Sequence, residues 1–404
     1  MDKKIVELDN SIEFAYGKNP DTPRVALYFN MSLNNLNTKP GVYSLMTRLF
    51  MQGTKNRTAQ QLSEELDSYA IEFTSELKLD YIKFKFVCLN EDFEKALEIF
   101  TDIIKNTTFE DFDREVIKYE GEIIAELDSA RAKVIDNYYK NIYEGHSYGY
   151  TNSVVLENLK NIKKSEITDA YEYILNNSKK VMTFVGDLDF DYVYNMVNKY
   201  LGDLPKSNIT LPQLSLPKIT HHKDIEVVKE DLNQAHILKG WLVDTANSTD
   251  YAPLALLNVI LGASGLSSRL FLELRDKKGL AYVVRSSYDI ARLVANFFIY
   301  IATEPRNIQT SLAGFEEEIN KIKTIPVSNE ELENAKNNLF GKWAFIGETN
   351  SQKANWLAHY GIMGFGFDFQ EKITKQIKIV TPADIKNCAN KYFNDKYVLT
   401  VLKP

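Results

Sequence analysis

One order of secondary-structure signals occurs twice in this chain, and that duplication limits the fold more than any single motif. Residues 24–31, RVALYFNM, read as a strand. Residues 81–88, YIKFKFVC, alternate with Ile82, Phe84, Phe86 and Cys88 on one face and Lys83 and Lys85 on the other, the period of a strand. Between them Thr58 and Gln61 form a capping-box pattern that opens a helix through LSEEL. After the second strand, Phe93, Leu97, Phe100 and Ile104 recur at helical spacing. The order restarts at 235–243, AHILKGWLV. It continues with a helix through APLALLNVILG, a strand over 294–303 and a helix from about 306. A period of roughly 200 residues is far longer than a solenoid repeat and implies a duplicated α+β unit. The boundaries read from the sequence are a first half over 1–205, an extended linker over 206–223 containing Pro212 and Pro217, and a second half over 224–404. Ser328 with Glu331, and Thr381 with Pro382 and Asp384, mark two late helix starts.

Composition narrows the functional class. At 404 residues, 44% hydrophobic and 25% charged, the chain has the make-up of a globular protein of at least two domains. A net charge of −7 leaves no basic footprint for nucleic acid or anionic lipid. The most apolar runs carry turn residues and are too short to span a bilayer, and the N-terminus lacks the apolar core of a signal peptide, so the expected location is cytoplasmic. Cys88 and Cys388 have no CxxC spacing and read as two buried thiols in a reducing compartment.

The stretch GVYSLMTRLFMQGT, 41–54, is an amphipathic helix with Val42, Leu45, Met46, Leu49 and Phe50 on one face and Ser44, Thr47 and Arg48 on the other. Its flanks resemble the pitrilysin/insulinase family of inverted zincins, which includes mitochondrial processing peptidase. That family's helix carries H-x-x-E-H, in which the two histidines bind zinc and the glutamate is the general base. Laid on that frame, Ser44 and Arg48 stand where the histidines would be and Thr47 where the base would be. Glu126, in YEGEIIAELD, matches the distal glutamate ligand. Arg48 is permanently cationic and cannot bind a metal, so a conventional zinc site is not expected in this chain. With zinc absent, Glu126 needs another partner, and Arg48 is expected to pair with it. Five histidines exist, His146, His221, His222, His236 and His359; the adjacent pair would point oppositely in extended chain, and the other three read as ordinary hydrogen-bonding residues.

The stretch LGASGLSSRLFLELRDKKGLAYVVRSSYD, 261–289, resembles the same family more strongly. Active members carry an arginine and a tyrosine seven residues apart that bind the substrate backbone and the developing oxyanion. Arg275 and Tyr282 have that spacing, and a guanidinium and a phenol both donate to an oxyanion. By spacing alone, Arg275 could equally pair with Glu273 or Asp276, and Tyr282 could be a core aromatic. Gly262 and Gly265 read as a helix stop, and no GxxxxGK[ST] phosphate loop is present. The resemblance spans nearly the whole chain. It implies two homologous α+β halves, each an antiparallel sheet backed by helices, enclosing a chamber with a partner. It further implies the non-catalytic subunit of a heterodimeric zinc peptidase that lends Arg275 and Tyr282 in trans, with zinc and H-x-x-E-H in the partner and a peptide as substrate. Two alternatives stay open at the level of sequence: a purely structural or peptide-binding homologue that uses neither residue, and a self-sufficient peptidase, for which no Ser/His/Asp or Cys/His frame stands out.

Overall fold

The computed structural model describes residues 3–33, 38–207 and 215–404, without the side chain of Ile346. The central part of the 206–223 segment, including Pro212, lies outside the described residues; 215–222 form no helix or strand. The strands are β1 Lys3–Glu7, β2 Glu13–Lys18, β3 Arg24–Ser32, β4 Glu72–Leu77, β5 Tyr81–Leu89, β6 Lys180–Gly186, β7 Lys223–Val228, β8 Ala235–Val243, β9 Ala281–Ile290, β10 Ala295–Thr303 and β11 Val398–Lys403. They form two sheets, ordered β1-β2-β6-β3-β5-β4 and β7-β11-β8-β10-β9. With β1 set aside, the two orders are identical when each is counted from its own first strand. The duplication in the sequence is therefore a duplication of topology. Each sheet is antiparallel except for one pair, β2 with β6 and β7 with β11, which are parallel. The last strand of each unit returns beside the first after a long helical excursion, the connection that parallel neighbours require.

The compact units are not contiguous halves. One comprises residues 1–121, 155–213 and 344–369, the other 122–154, 214–343 and 370–404. Each takes one helix from the other half of the sequence, which the 1–205 and 224–404 boundaries do not anticipate.

In the first unit, α1 Val42–Leu49, α2 Ala59–Ser68 and α3 Phe93–Asn106 are followed by the start of α4, Phe112–Asp128. Thr58 and Gln61 close the capping box at α2 as the sequence requires. Phe29, Phe84, Phe86 and Phe100 fill the sheet face beneath α3 and are all but inaccessible. The opposite face is buried too. It is covered by a helix from the far end of the chain, with Thr183 donating to Ala354 O at 2.8 Å and Tyr28 meeting Ser351 at 2.8 Å. That coverage explains why Lys83, on the polar face of β5, is only 9% exposed; it pairs with Glu76 across on β4 at 2.9 Å.

In the second unit the borrowed helix is α5, Ala130–Ile142, packed on β8 and β11. Tyr138 is fully buried and donates to Asn296 Oδ1 at 2.6 Å. Gly240 is required beneath it, since a Cβ there would fall 1.9 Å from the Tyr138 hydroxyl. The remaining helices of the chain are α6 Asn152–Leu159, α7 Lys164–Asn177, α8 Phe190–Leu201, α9 Tyr251–Asn258, α10 Ile308–Thr324, α11 Asn329–Ile346, α12 Asn350–Met363, α13 Phe369–Ile379 and α14 Pro382–Tyr392. Thr381 and Asp384 cap α14, and Ser328 caps the start of α11 through Glu331 N.

Lys180 on β6 is wholly inaccessible and donates to the carbonyls of Ser178 and Lys206, and among the described residues it has no ion pair. Burial pushes its ammonium down to about 8. Between that value and the ordinary lysine range the unfolded chain holds a proton that the folded chain does not, so stability rises with pH across that window. Lys180→Met removes the burden of a buried charge and is expected to stabilise the fold at pH 7 by about 3 kcal/mol. Urea titrations at pH 7 and pH 10 check this, because the gain shrinks as wild type sheds the proton.

Candidate active site

Helix α1 presents the three positions that the family frame gives to metal ligands and base. Ser44 Oγ donates to Gly41 O at 3.1 Å, and Thr47 Oγ1 to Ser44 O at 2.9 Å. Both hydroxyls are thus turned back onto their own helix, the habit of Ser and Thr side chains in helices. Thr47 is buried, and its carbonyl accepts from Ser75 of β4 at 2.6 Å. Arg48 Nε donates to Glu115 Oε1 at 2.6 Å, and its guanidinium lies 4.5 Å from the centre of the Tyr119 ring, one turn along α4. Glu115 is only 5% exposed, so this is a buried, charge-assisted pair.

The expected pairing of Arg48 with Glu126 is not what the structure contains. Glu126 is exposed and accepts from Asn152 Nδ2 at 2.8 Å. It shares a face of α4 with Glu115, but the eleven residues between them correspond to about 16 Å of helix, farther than one arginine bridges.

The donor set does not fit zinc. Two hydroxyls committed to backbone and a guanidinium committed to a carboxylate offer no imidazole or carboxylate lone pair. Among the described residues no group of three or more His, Cys, Asp or Glu side chains is placed to hold a metal ion. The histidines are dispersed: His236 meets Tyr300 at 2.8 Å, His359 meets Tyr81 at 3.0 Å, His146 accepts from Tyr148 N, and His221 and His222 lie against Thr220 and Tyr397. Burial depresses His359 to about 4, which keeps it neutral. Metal analysis after chelator treatment is expected to find far less than one zinc per chain. About one equivalent, lost on Glu126→Gln, would overturn that expectation.

Arg275 and Tyr282 sit on different elements. Arg275 lies in a wide helical turn, Phe271–Lys277, with i to i+5 hydrogen bonding, and Tyr282 is the second residue of β9 after a turn at Gly279. The wide turns come in a pair. An earlier one, Val259–Ala263, packs so tightly on β9 that a Cβ at Gly262 would meet Ser286 N at 2.1 Å. Gly262 therefore serves close packing, and the helix stop falls at Gly265, where φ is 73°. Short stretches of this helix type recur at functional sites. The Arg275 guanidinium lies 4.4 Å from the Phe271 ring centre and 4.9 Å from that of Tyr282. Both rings lie within cation–π range of the guanidinium and hold it beside them.

Glu273 accepts from Lys277, and among the described residues neither the Arg275 side chain nor the Tyr282 hydroxyl has a hydrogen bond or an ion pair within the chain. Tyr282 is 78% exposed, so it is no core aromatic. An unspent guanidinium and an unspent phenol, side by side and open to solvent, can bind a peptide carbonyl or an oxyanion.

Comparison with known proteins matches two parts of the chain to one peptidase family. The pattern described as Insulinase (Peptidase family M16) matches residues 15–153, and that described as Peptidase M16 inactive domain matches 161–339. The chain belongs to the insulinase family, peptidase family M16. Similar relatives include an uncharacterized zinc protease of Bacillus subtilis, 22% identical with 98% of this chain and 97% of that protein covered. An uncharacterized zinc protease of Rickettsia felis is 26% identical, with coverages of 90% and 88%. Among solved structures, a protease from Helicobacter pylori superimposes with a TM-score of 0.91 at 20% identity over the full length of both chains. A peptidase M16 inactive domain from Pseudomonas fluorescens gives 0.86 at 19% identity, covering 100% of this chain and 98% of that one. These likenesses establish the M16 fold. Among the described residues no helix is long and apolar enough to cross a membrane.

Proposed function

We propose that this chain is the non-catalytic subunit of a heterodimeric M16 zinc metallopeptidase. In this reading it lends Arg275 and Tyr282 in trans to a homologous partner that carries H-x-x-E-H and the zinc. The observation that carries the reading is the stacked Arg275–Tyr282 pair with its donors unspent, in a chain whose own metal positions hold Ser44, Thr47 and Arg48. A peptide held at the partner's zinc would meet the guanidinium fork and the phenol where negative charge develops on the scissile carbonyl oxygen. Zinc supplies the Lewis acid and the activated water in that partner. A cytoplasmic location and a peptide substrate belong to the same reading.

The experiment is reconstitution. The chain alone is expected to cleave no peptide, and mixing with an H-x-x-E-H homologue from the same organism is expected to produce peptidase activity that neither protein shows alone. Full activity of the partner by itself, unchanged by this chain, would point instead to the structural or peptide-binding homologue.

A further inference from the structure

The face of the second sheet beneath α5 carries positive charge that the chain does not answer. Strand register sets Val283, Ala302 and His236 in one row across β9, β10 and β8, and Arg285, Tyr300 and Leu238 in the next. Val134 and Tyr138 of α5 pack onto the core of this face. Arg131, in the first turn of the same helix, brings its charge to bear on His236 and Tyr300. Arg285 approaches from the edge strand, its guanidinium 5.7 Å from the centre of the Tyr300 ring. The Tyr300 hydroxyl meets His236 Nδ1 at 2.8 Å, which ties the two rows together.

Among the described residues neither arginine has a hydrogen bond or an ion pair, and Arg285 Nε is shut off from solvent without an acceptor. Arg269, a half-buried arginine of the same unit, shows the ordinary arrangement: Glu331 accepts from it through two bonds of 2.7 Å. The elements that frame the arginines, α5, β8, β9 and β10, carry only two carboxylates, Asp136 and Asp289. Both are committed. Asp136 accepts from Ser153 N at 2.9 Å, and Asp289 accepts from Tyr139 and Ser287. The His236–Tyr300 pair is neutral, since burial holds the imidazole below its ordinary range, with Arg131 adding to the effect, and burial raises the phenol. A sheltered guanidinium left without a counter-charge is costly, so two that converge on one tyrosine form a place prepared for an anion. The place is open to solvent. Arg131 is exposed, and Val283, beside Arg285 on the same face of β9, is 39% exposed.

We infer that Arg131 and Arg285 form a binding site for a peptide carboxylate, supplied by a free C-terminus or by an acidic side chain. Two guanidinium groups can each meet one oxygen of a carboxylate in a charge-assisted hydrogen bond. The source follows from what surrounds the site. Two cations in a chain of net charge −7, with no phosphate loop, suit a singly charged group rather than a polyanion. Membership of a peptidase family makes a peptide its carrier. The inference does not rest on the in trans reading, because it uses neither Arg275 nor Tyr282 and concerns binding by this chain alone.

The test titrates the full chain with three short N-acetylated peptides of alanine, leucine and serine, followed by saturation-transfer NMR. One ends in a free carboxylate, one is amidated and carries a single internal glutamate, and one is amidated with glutamine in that place. The uncharged peptide is expected to bind about tenfold more weakly than the better of the other two, the effect of losing one charge-assisted hydrogen bond. Whichever of the charged peptides binds more tightly identifies the source of the carboxylate. Arg131→Gln with Arg285→Gln is expected to erase the preference. Arg131→Gln alone, at an exposed position, is expected to weaken the charged peptides several-fold without lowering the melting temperature, which a structural role would lower. Equal binding of all three peptides, or a preference that survives in Arg131→Gln and in the double variant, would overturn the proposal. Displacement of the charged peptide by an equal concentration of inorganic phosphate would overturn it as well, since the site would then take any small anion.

Discussion

Arg275→Ala in the reconstituted pair is expected to lower kcat by about 10²–10³-fold, with a smaller loss for Tyr282→Phe. Loss of one preorganised oxyanion donor typically has that effect, because the interaction is strongest when charge develops on the substrate oxygen. The geometry favours the larger effect at the arginine. Its guanidinium is held against the Phe271 and Tyr282 rings, so less ordering remains to be done when substrate arrives. Arg275→Lys is expected to rescue little, since a point charge on a flexible stem neither stacks nor forks. Tyr282→Phe keeps the stacking ring and removes only the hydroxyl, which separates a positioning contribution from a donor. If both single variants and the double variant retain wild-type kcat and KM, the chain is a scaffold and the in trans reading falls.

Arg48→Ala is expected to cost about 3–5 kcal/mol of stability, because it strands the buried Glu115 carboxylate. The paired change Arg48→Met with Glu115→Leu is expected to recover most of the stability, since apolar residues of similar volume replace a buried ion pair with little penalty. Urea denaturation of wild type and the two variants at pH 7 measures this. An Arg48→Ala loss below about 1 kcal/mol, the range of exposed ion pairs, would mean that the pair contributes no more than a surface contact.

The physics of single elements was legible along the chain. The alternation of YIKFKFVC places β5, the capping residues Thr58 and Gln61 open α2, and the order of signals announces the duplication. The edge strands were not legible. β4, EFTSEL, is short and polar, and β9 begins in a stretch that reads equally as helix, because an edge strand buries too little apolar surface to impose a period. Reading Arg275 and Tyr282 by their spacing of seven suits a helix, yet they face each other only because the chain turns at Gly279 and returns as a strand.

The metal positions divide in the same way. That Ser44, Thr47 and Arg48 cannot act as ligands or base is a matter of residue chemistry, and the sequence alone determines it. Which carboxylate answers Arg48 is not local. α4 carries Glu115, Glu120, Glu122 and Glu126, and only the register of α4 against α1 selects Glu115. The unit boundaries were decided at the same level. α5 and α12 follow their own halves in the chain, but each has an apolar face that matches the sheet built from the opposite half, as Tyr138 over Gly240 and Ala354 over Thr183 show. Sequence fixes what each side chain can do; the long-range packing of helices on sheets decides which side chains meet, because burial rewards complementary surfaces without regard to their separation along the chain.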